Sequence, residues 1–238
     1  MIDENQGAVL LVNKPLFWTS FEVVNAFKHQ VKPFKIGHAG TLDPMASGLL
    51  ILCTGKQTKI IESIQSLPKT YTGTIKFGAI TAGYDLEAKE ENIYKGLPIE
   101  FEKIIDMSKE FIGDILQKPP VFSAVKIGGK RAYKLGREGV ETIIKEKSVS
   151  IYEFKLTNYH WPYIDFEVHC SKGTYIRSLA FDLGRILGCG AYLTKLNRTQ
   201  IGDYKLDDAN NELIGQTTAK SRILREKVEA LHPTLLFH

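Results

Sequence analysis

The run Gly37-His38-Ala39-Gly40-Thr41-Leu42-Asp43-Pro44-Met45-Ala46-Ser47-Gly48 holds one carboxylate among glycines and a proline. Pro44 has a fixed φ and restricts Asp43 to extended backbone, while the flanking glycines let another backbone approach closely. The run therefore presents one oriented acid from a rigid edge. Taken alone, an aspartate before proline in a glycine-rich loop is more often a turn former than a catalyst. Other chemistry-bearing patterns fail on spacing. Gly55-Lys56 has Leu50 and Gln57 where a phosphate-binding loop needs glycine and a hydroxyl, and Gly129-Lys130 fails in the same way at Ala124 and Arg131. Ser47 has Met45 where a nucleophile elbow needs glycine. His169-Cys170 is a metal-like adjacent pair that reads as a strand end. No metal or organic cofactor is expected.

Flanking elements must hold such a loop. Ala8 to Val12 is a short apolar run stopped by Asn13-Lys14-Pro15, a strand followed by a turn. Either Thr19 or Ser20 can cap a helix in which Phe21, Val23, Val24 and Phe27 recur at helical spacing. Ile36 to Pro44 reads as loop, Leu49 to Cys53 as a buried strand, and Lys56 to Ser66 as an amphipathic helix. The alternation from Tyr71 to Ile80 predicts a strand, bulged at its glycines. Residues 99–115 carry a second helical pattern. Val149 to Tyr159 and Tyr163 to Cys170 read as strands joined at Trp161-Pro162. Thr174 to Leu187 reads as a helix ended by Gly188, Leu193 to Ile201 as a strand, and Thr217 to Ala230 as helix-like. Strands and helices mix without regular alternation, so the expected class is α+β.

The 238 residues are 43% hydrophobic and 24% charged, which excludes a mainly disordered chain. Cys53, Cys170 and Cys189 stand far apart, against a disulfide framework or zinc site and in keeping with a reducing cytosol. The acidic start lacks a signal-peptide pattern. The apolar run Gly48 to Cys53 is far short of the ~20 residues of a membrane helix, so a cytoplasmic location with no membrane partner is expected. The net charge of +4 hides a segregation. Residues 85–114 hold nine acids against four lysines, whereas residues 118–147 hold eight basic residues against three acids, a basic patch inside a nearly neutral chain.

The Gly37 to Leu50 stretch resembles the catalytic motif of the TruB family of tRNA pseudouridine synthases, GHxGTLDPxAxGxL. Further stations of that family follow in order. Lys14-Pro15 with Thr19-Ser20-Phe21 resembles KPxGxTSF, and Lys69-Thr70-Tyr71 resembles KxY. Gln117, Pro119-Pro120, Ser123-Ala124, Lys126, Gly129, Tyr133 and Arg137 resemble QxPPxxSAxKxxGxxxYxxAR. Cys170 to Arg177 with Asp182-Leu183-Gly184 resembles CSxGTYIRxLAxDLG, and Leu196 with Arg198 resembles the late LxR element. The matches span residues 8 to 202. Phe17 stands where the family has glycine, and Gly136 where it has alanine.

The resemblance implies a pseudouridine synthase fold, a mixed and mostly antiparallel sheet flanked by helices and loops, as a single catalytic domain over residues 1–238. Residues 203–238 are then a short C-terminal extension, too short for the RNA-binding PUA domain many relatives carry. The implied activity is isomerisation of uridine 55 in the TΨC loop of tRNA to pseudouridine by base flipping, although the catalytic motif does not encode the target RNA. Asp43 is implied as the catalytic carboxylate, Arg177 as its cationic partner, and Tyr71 as the aromatic stacked on the flipped uracil. His38 is implied near the vacated base position and Leu196 in the pocket wall. Lys126, Lys130, Arg131 and Arg137 in the basic stretch 118–147 are implied as phosphate contacts. The implied partner is the TΨC arm of tRNA, met by a monomer, with no cofactor and no metal.

Overall fold

A computed structural model of the chain describes residues 7–32, 34–120, 126–127, 130–131, 145–213 and 215–234. In chain order the elements begin with β1 (Val9–Lys14), α1 (Ser20–Lys28), β2 (Ile36–His38), β3 (Ser47–Thr54), a 3₁₀ turn (Gly55–Ile60), α2 (Ile61–Ser66) and β4 (Lys69–Phe77). Next come β5 (Ala79–Ile80), β6 (Glu91–Asn92), α3 (Phe101–Lys109), β7 (Gly113–Gln117), β8 (Lys126–Ile127), β9 (Lys130–Arg131), β10 (Lys147–His160) and β11 (Tyr163–Cys170). The chain continues through α4 (Ile176–Ile186), β12 (Ala191–Ile201), β13 (Tyr204–Lys205) and α5 (Ala219–Leu231). This is an α+β fold, with antiparallel pairings throughout except the parallel pairing of β3 with β12 among the described registers. Among the described residues no helix is long and apolar enough to cross a membrane. The chain forms two compact units, one of Met1–Thr72 with Lys195–Ala230, the other of Gly73–Thr194 with Leu231–His238.

In the first unit the strand order is β1-β3-β12-β4. β1 runs antiparallel to β3 from Val9↔Cys53 to Lys14↔Gly48. β3 is covered on both faces, which is why its sequence is a continuous apolar run rather than an alternation. Leu50 and Leu52 pack with Val12, Trp18, Val23, Val24 and Phe27 under α1. Leu49, Ile51 and Cys53 pack on the other side with Ile64 of α2, Ile201 and Ala209. The buried stripe of α1 is Ser20, Val23, Val24 and Phe27. Phe21 lies one residue off that stripe and is 65% exposed, so its expected place on the apolar face is corrected. The expected loop from Ile36 starts instead as β2, paired with β3 at Ile36↔Thr54. The expected helix from Lys56 is a 3₁₀ turn that becomes helical only at Ile61.

In the second unit the order is β4-β11-β10-β7. β11 buries Ile164, Phe166, Val168 and Cys170 in strict alternation, and β10 lies antiparallel to both β11 and β7. The strand expected from Tyr71 to Ile80 breaks at Gly78, whose φ of 88° turns the chain so that β5 pairs with β6.

Candidate active site

The Asp43 loop lies between β2 and β3, and side chains from elsewhere in the first unit hold its backbone. Ser20 spans Leu42: its Oγ accepts from the Leu42 N–H at 2.9 Å and donates to the Leu42 carbonyl at 3.1 Å. Arg198 of β12 is 1% exposed. It donates through Nε to the Leu49 carbonyl at 2.8 Å, through Nη2 to that of Gly40 at 3.2 Å, and through Nη1 to that of Thr41 at 3.4 Å. Beyond the aspartate, the Phe17 N–H donates to the Pro44 carbonyl at 2.8 Å and the Ala46 N–H to the Asp43 carbonyl at 3.1 Å. Capping of α1 falls to Thr19, in a reciprocal box with Glu22.

Gly48 makes the Arg198 geometry possible. It sits opposite Arg198 in the parallel pairing of β3 with β12, at φ 102°. A Cβ there would lie 2.4 Å from the Arg198 carbonyl oxygen, so β12 can come this close only beside a glycine. Phe17, at the family's glycine position, also takes a positive φ, 69°. The turn is therefore kept without the residue that adopts it most easily.

Lys14, at the end of β1, is fully buried and donates from Nζ to the carbonyls of Pro15 at 2.9 Å and Trp18 at 2.5 Å. Burial pushes its ammonium down to about 7; the Asp43 carboxylate pulls it back up, Arg198 adds to the lowering, and Glu22 opposes it. Burial also lowers the His38 pKa, against a backbone hydrogen bond at Gly40 and with help from Arg198. The His38 Nδ1 is buried with no hydrogen-bond partner among the described residues. The end of β2 thus carries an imidazole biased to its neutral form, with one nitrogen unpartnered among the described residues.

Asp43 is half-buried, Tyr71 of β4 is buried, and Leu196 of β12 is half-buried. These three and His38 all belong to the first unit, and Arg177 belongs to the second. Arg137 and the side chains of Lys126, Lys130 and Arg131 lie outside the described residues; the backbone of the last three forms the short pair β8–β9. Arg177, near the start of α4, donates from Nη1 to Asp85 Oδ2 at 3.1 Å and to the Gly83 carbonyl at 3.0 Å. Both charged side chains are under a tenth exposed. Asp85 is itself oriented, since its Oδ1 accepts from the Glu87 N–H at 3.0 Å. Gln117 of β7 grips the residue at the mouth of α4: its Nε2 donates to the Tyr175 carbonyl at 3.0 Å and its Oε1 accepts from the Tyr175 N–H at 2.7 Å. Ser178 Oγ adds a hydrogen bond to the Lys118 carbonyl at 2.8 Å. Among the described residues no group of three or more His, Cys, Asp or Glu is placed to hold a metal.

The sequence assigned no role to Lys14, Gln117 or Arg198, and offered Ser20 only as an alternative helix cap, although each falls inside a quoted motif. It did not single out Asp85 at all beyond counting it in the acidic run.

Comparison with solved structures bears on the fold. The chain superposes on one in "Crystal Structure of a Cbf5-Nop10-Gar1 Complex" with a TM-score of 0.68 at 26% identity, covering 96% of this chain and 63% of that one. A chain of an H/ACA RNP bound to a substrate RNA containing 2'-deoxyuridine gives 0.65 at 24% identity, covering 95% and 62%. The pattern of the TruB family pseudouridylate synthase N-terminal domain matches residues 28–176, and that of the tRNA pseudouridylate synthase B C-terminal domain matches residues 177–233. The fold and the two family patterns therefore define a pseudouridylate synthase. The tRNA pseudouridine synthase B of Flavobacterium johnsoniae is 48% identical over 211 residues, covering 86% of this chain and 92% of its own. That of Bacteroides fragilis is 49% identical over 208 residues (85% and 89%), and that of Chlorobaculum tepidum 42% over 230 residues (93% and 95%). The chain belongs to the TruB family.

Proposed function

We propose that the chain isomerises uridine 55 in the TΨC loop of tRNA to pseudouridine, with Asp43 as the catalytic carboxylate. The observation that carries this reading is the Asp43 loop, held at Gly40, Thr41, Leu42 and Pro44 by side-chain and backbone hydrogen bonds, in a chain 48% identical to a tRNA pseudouridine synthase B. The reaction breaks the bond from C1′ of the ribose to N1 of uracil, turns the base, and joins C1′ to C5. The C5 proton leaves and N1 takes one, so the product is an isomer and no cofactor enters. A carboxylate ionised in a site emptied of water needs a cation, because leaving a buried charge uncompensated costs several kcal/mol. Arg177 fills that role in this reading, its guanidinium held in place by Asp85 and Gly83. Arginine stays protonated and does not hand Asp43 a proton.

The flipped uracil stacks on Tyr71 against Leu196, and His38 lies near the position the base has left. Lys126, Lys130, Arg131 and Arg137 contact phosphates and make binding salt-dependent. The chain acts as one catalytic domain, as a monomer, in the cytoplasm. The test is tritium release from tRNA transcripts labelled at uracil C5, with wild type and Asp43→Asn in parallel. Release by wild type alone, abolished when U55 is replaced by cytidine, is the expected result. Equal release by Asp43→Asn removes the aspartate from the chemistry, and no release from any tRNA removes the activity.

A further inference from the structure

Four consecutive residues carry the path into the proposed catalytic carboxylate, and three of them are tied down by two side chains. Gly40 and Thr41 offer their carbonyls to Arg198, and Leu42 is bound at both its N–H and its carbonyl by one hydroxyl, that of Ser20. Ser20 is 3% exposed and sits in the first turn of α1. A serine there ordinarily serves the helix end, yet the N-cap is Thr19 and the Ser20 hydroxyl spends both its donor and its acceptor on the loop. Arg198 gives its Nε to Leu49 in β3 and both its terminal nitrogens to the loop, so the guanidinium links strand to loop at a set spacing.

We infer that Ser20 and Arg198 are positioning residues for the isomerisation: they fix the backbone on the N-terminal side of Asp43 and thereby aim its carboxylate. The inference rests on the proposed activity and deepens it. Two features separate it from simple fold support. Among the described residues Leu42 has no strand or helix partner, so without Ser20 its buried N–H and carbonyl lose the partners shown for them. Pro44 limits Asp43 to extended backbone, so a shift at Leu42 is passed to the aspartate instead of being absorbed within it.

The test uses the full chain. With enzyme in excess over C5-tritiated tRNA, Ser20→Ala is expected to slow release ~10- to 100-fold, the cost of misplacing a reacting group by about 1 Å, with tRNA affinity unchanged. Ser20→Thr keeps the oxygen while adding bulk and is expected to recover most of the rate. A serine needed only for packing would show the opposite order, with alanine tolerated and threonine harmful. Amide exchange at Leu42 reads the geometry without activity, and Ser20→Ala is expected to speed it roughly tenfold. If Ser20→Ala does not fold, Arg198→Lys, which keeps the cation but cannot reach all three carbonyls, is expected to show the same loss of rate at unchanged affinity. A wild-type rate in Ser20→Ala, a loss not recovered by Ser20→Thr, or unchanged Leu42 exchange overturns the inference while wild-type release leaves the activity standing. Absence of release by wild type overturns the activity itself and, with it, the positioning role.

Discussion

Lys14 sets two large effects against each other, and their balance changes with pH in a way that Lys14→Met isolates. Its ammonium falls from 10.5 in the open chain to about 7 in the fold, because the side chain is fully buried. The folded state therefore releases the proton more readily than the unfolded one. Between about pH 7 and 10.5 Lys14 holds more proton in the unfolded chain, so its own contribution to wild-type stability rises with pH across that window, and below it the full penalty is present. At 1.36 kcal/mol per pKa unit, the rise from about pH 6 to about pH 9 is ~3 kcal/mol. Methionine removes this dependence and leaves the Pro15 and Trp18 carbonyls without their donor, at roughly 1–3 kcal/mol each. The two variants are thus closest in stability at low pH, and the deficit of Lys14→Met widens by about 3 kcal/mol on going to pH 9. For a chain of this length that is a separation in Tm of roughly 6–12 °C. Urea and thermal unfolding of both proteins across this range, each with its own baseline, measure it. A stability difference that stays flat with pH, or narrows as pH rises, refutes the claim that burial controls the Lys14 ammonium.

Asp85→Asn leaves the Arg177 guanidinium buried beside a neutral amide and is expected to cost ~3 kcal/mol of stability and to slow isomerisation more than tRNA binding; chemical unfolding with single-turnover release checks both. Tyr71→Ala is expected to lower the single-turnover rate roughly 5- to 160-fold, since stacking on a base is worth ~1–3 kcal/mol, whereas Tyr71→Phe keeps the ring and the rate; near-normal release from the alanine variant takes Tyr71 out of the pocket. Gly48→Ala places a methyl 2.2 Å from Asn197 Oδ1 and 2.4 Å from the Arg198 carbonyl at a φ of 102°. It is expected to cost about 3 kcal/mol or more, which thermal unfolding reads directly.

Much of the framework around the candidate site was legible in the chain because its motifs are local. The Asp43 loop, the buried strand behind it and the helix carrying Arg177 each occupy consecutive residues with their own composition. The misreadings have a common cause in partners that lie far along the chain. β2 is three residues long and exists because β3 pairs with it, so no alternation of its own announces it. Phe21 fits a helical spacing but lies beside the stripe that tertiary packing selects. The residues 56–60 satisfy an amphipathic pattern, yet the chain there takes a 3₁₀ turn before α2.

By itself, the sequence determined that one carboxylate sits before a proline in a glycine-rich loop, that a buried strand follows it, and that no cofactor pattern accompanies it. These follow from local backbone restriction and hydrophobic pattern, which need no knowledge of distant residues. Which of Thr19 and Ser20 caps α1, and what the other does, only the tertiary structure decided. Both can cap, and the choice was made by the Leu42 backbone, 22 residues on, which takes the Ser20 hydroxyl. The same holds for Arg177 and Asp85, 92 residues apart, and for Arg198 with Gly40, 158 apart. A buried charge or an unpaired backbone group must find a partner wherever the fold brings one, and that search runs through space, where sequence spacing carries no signal.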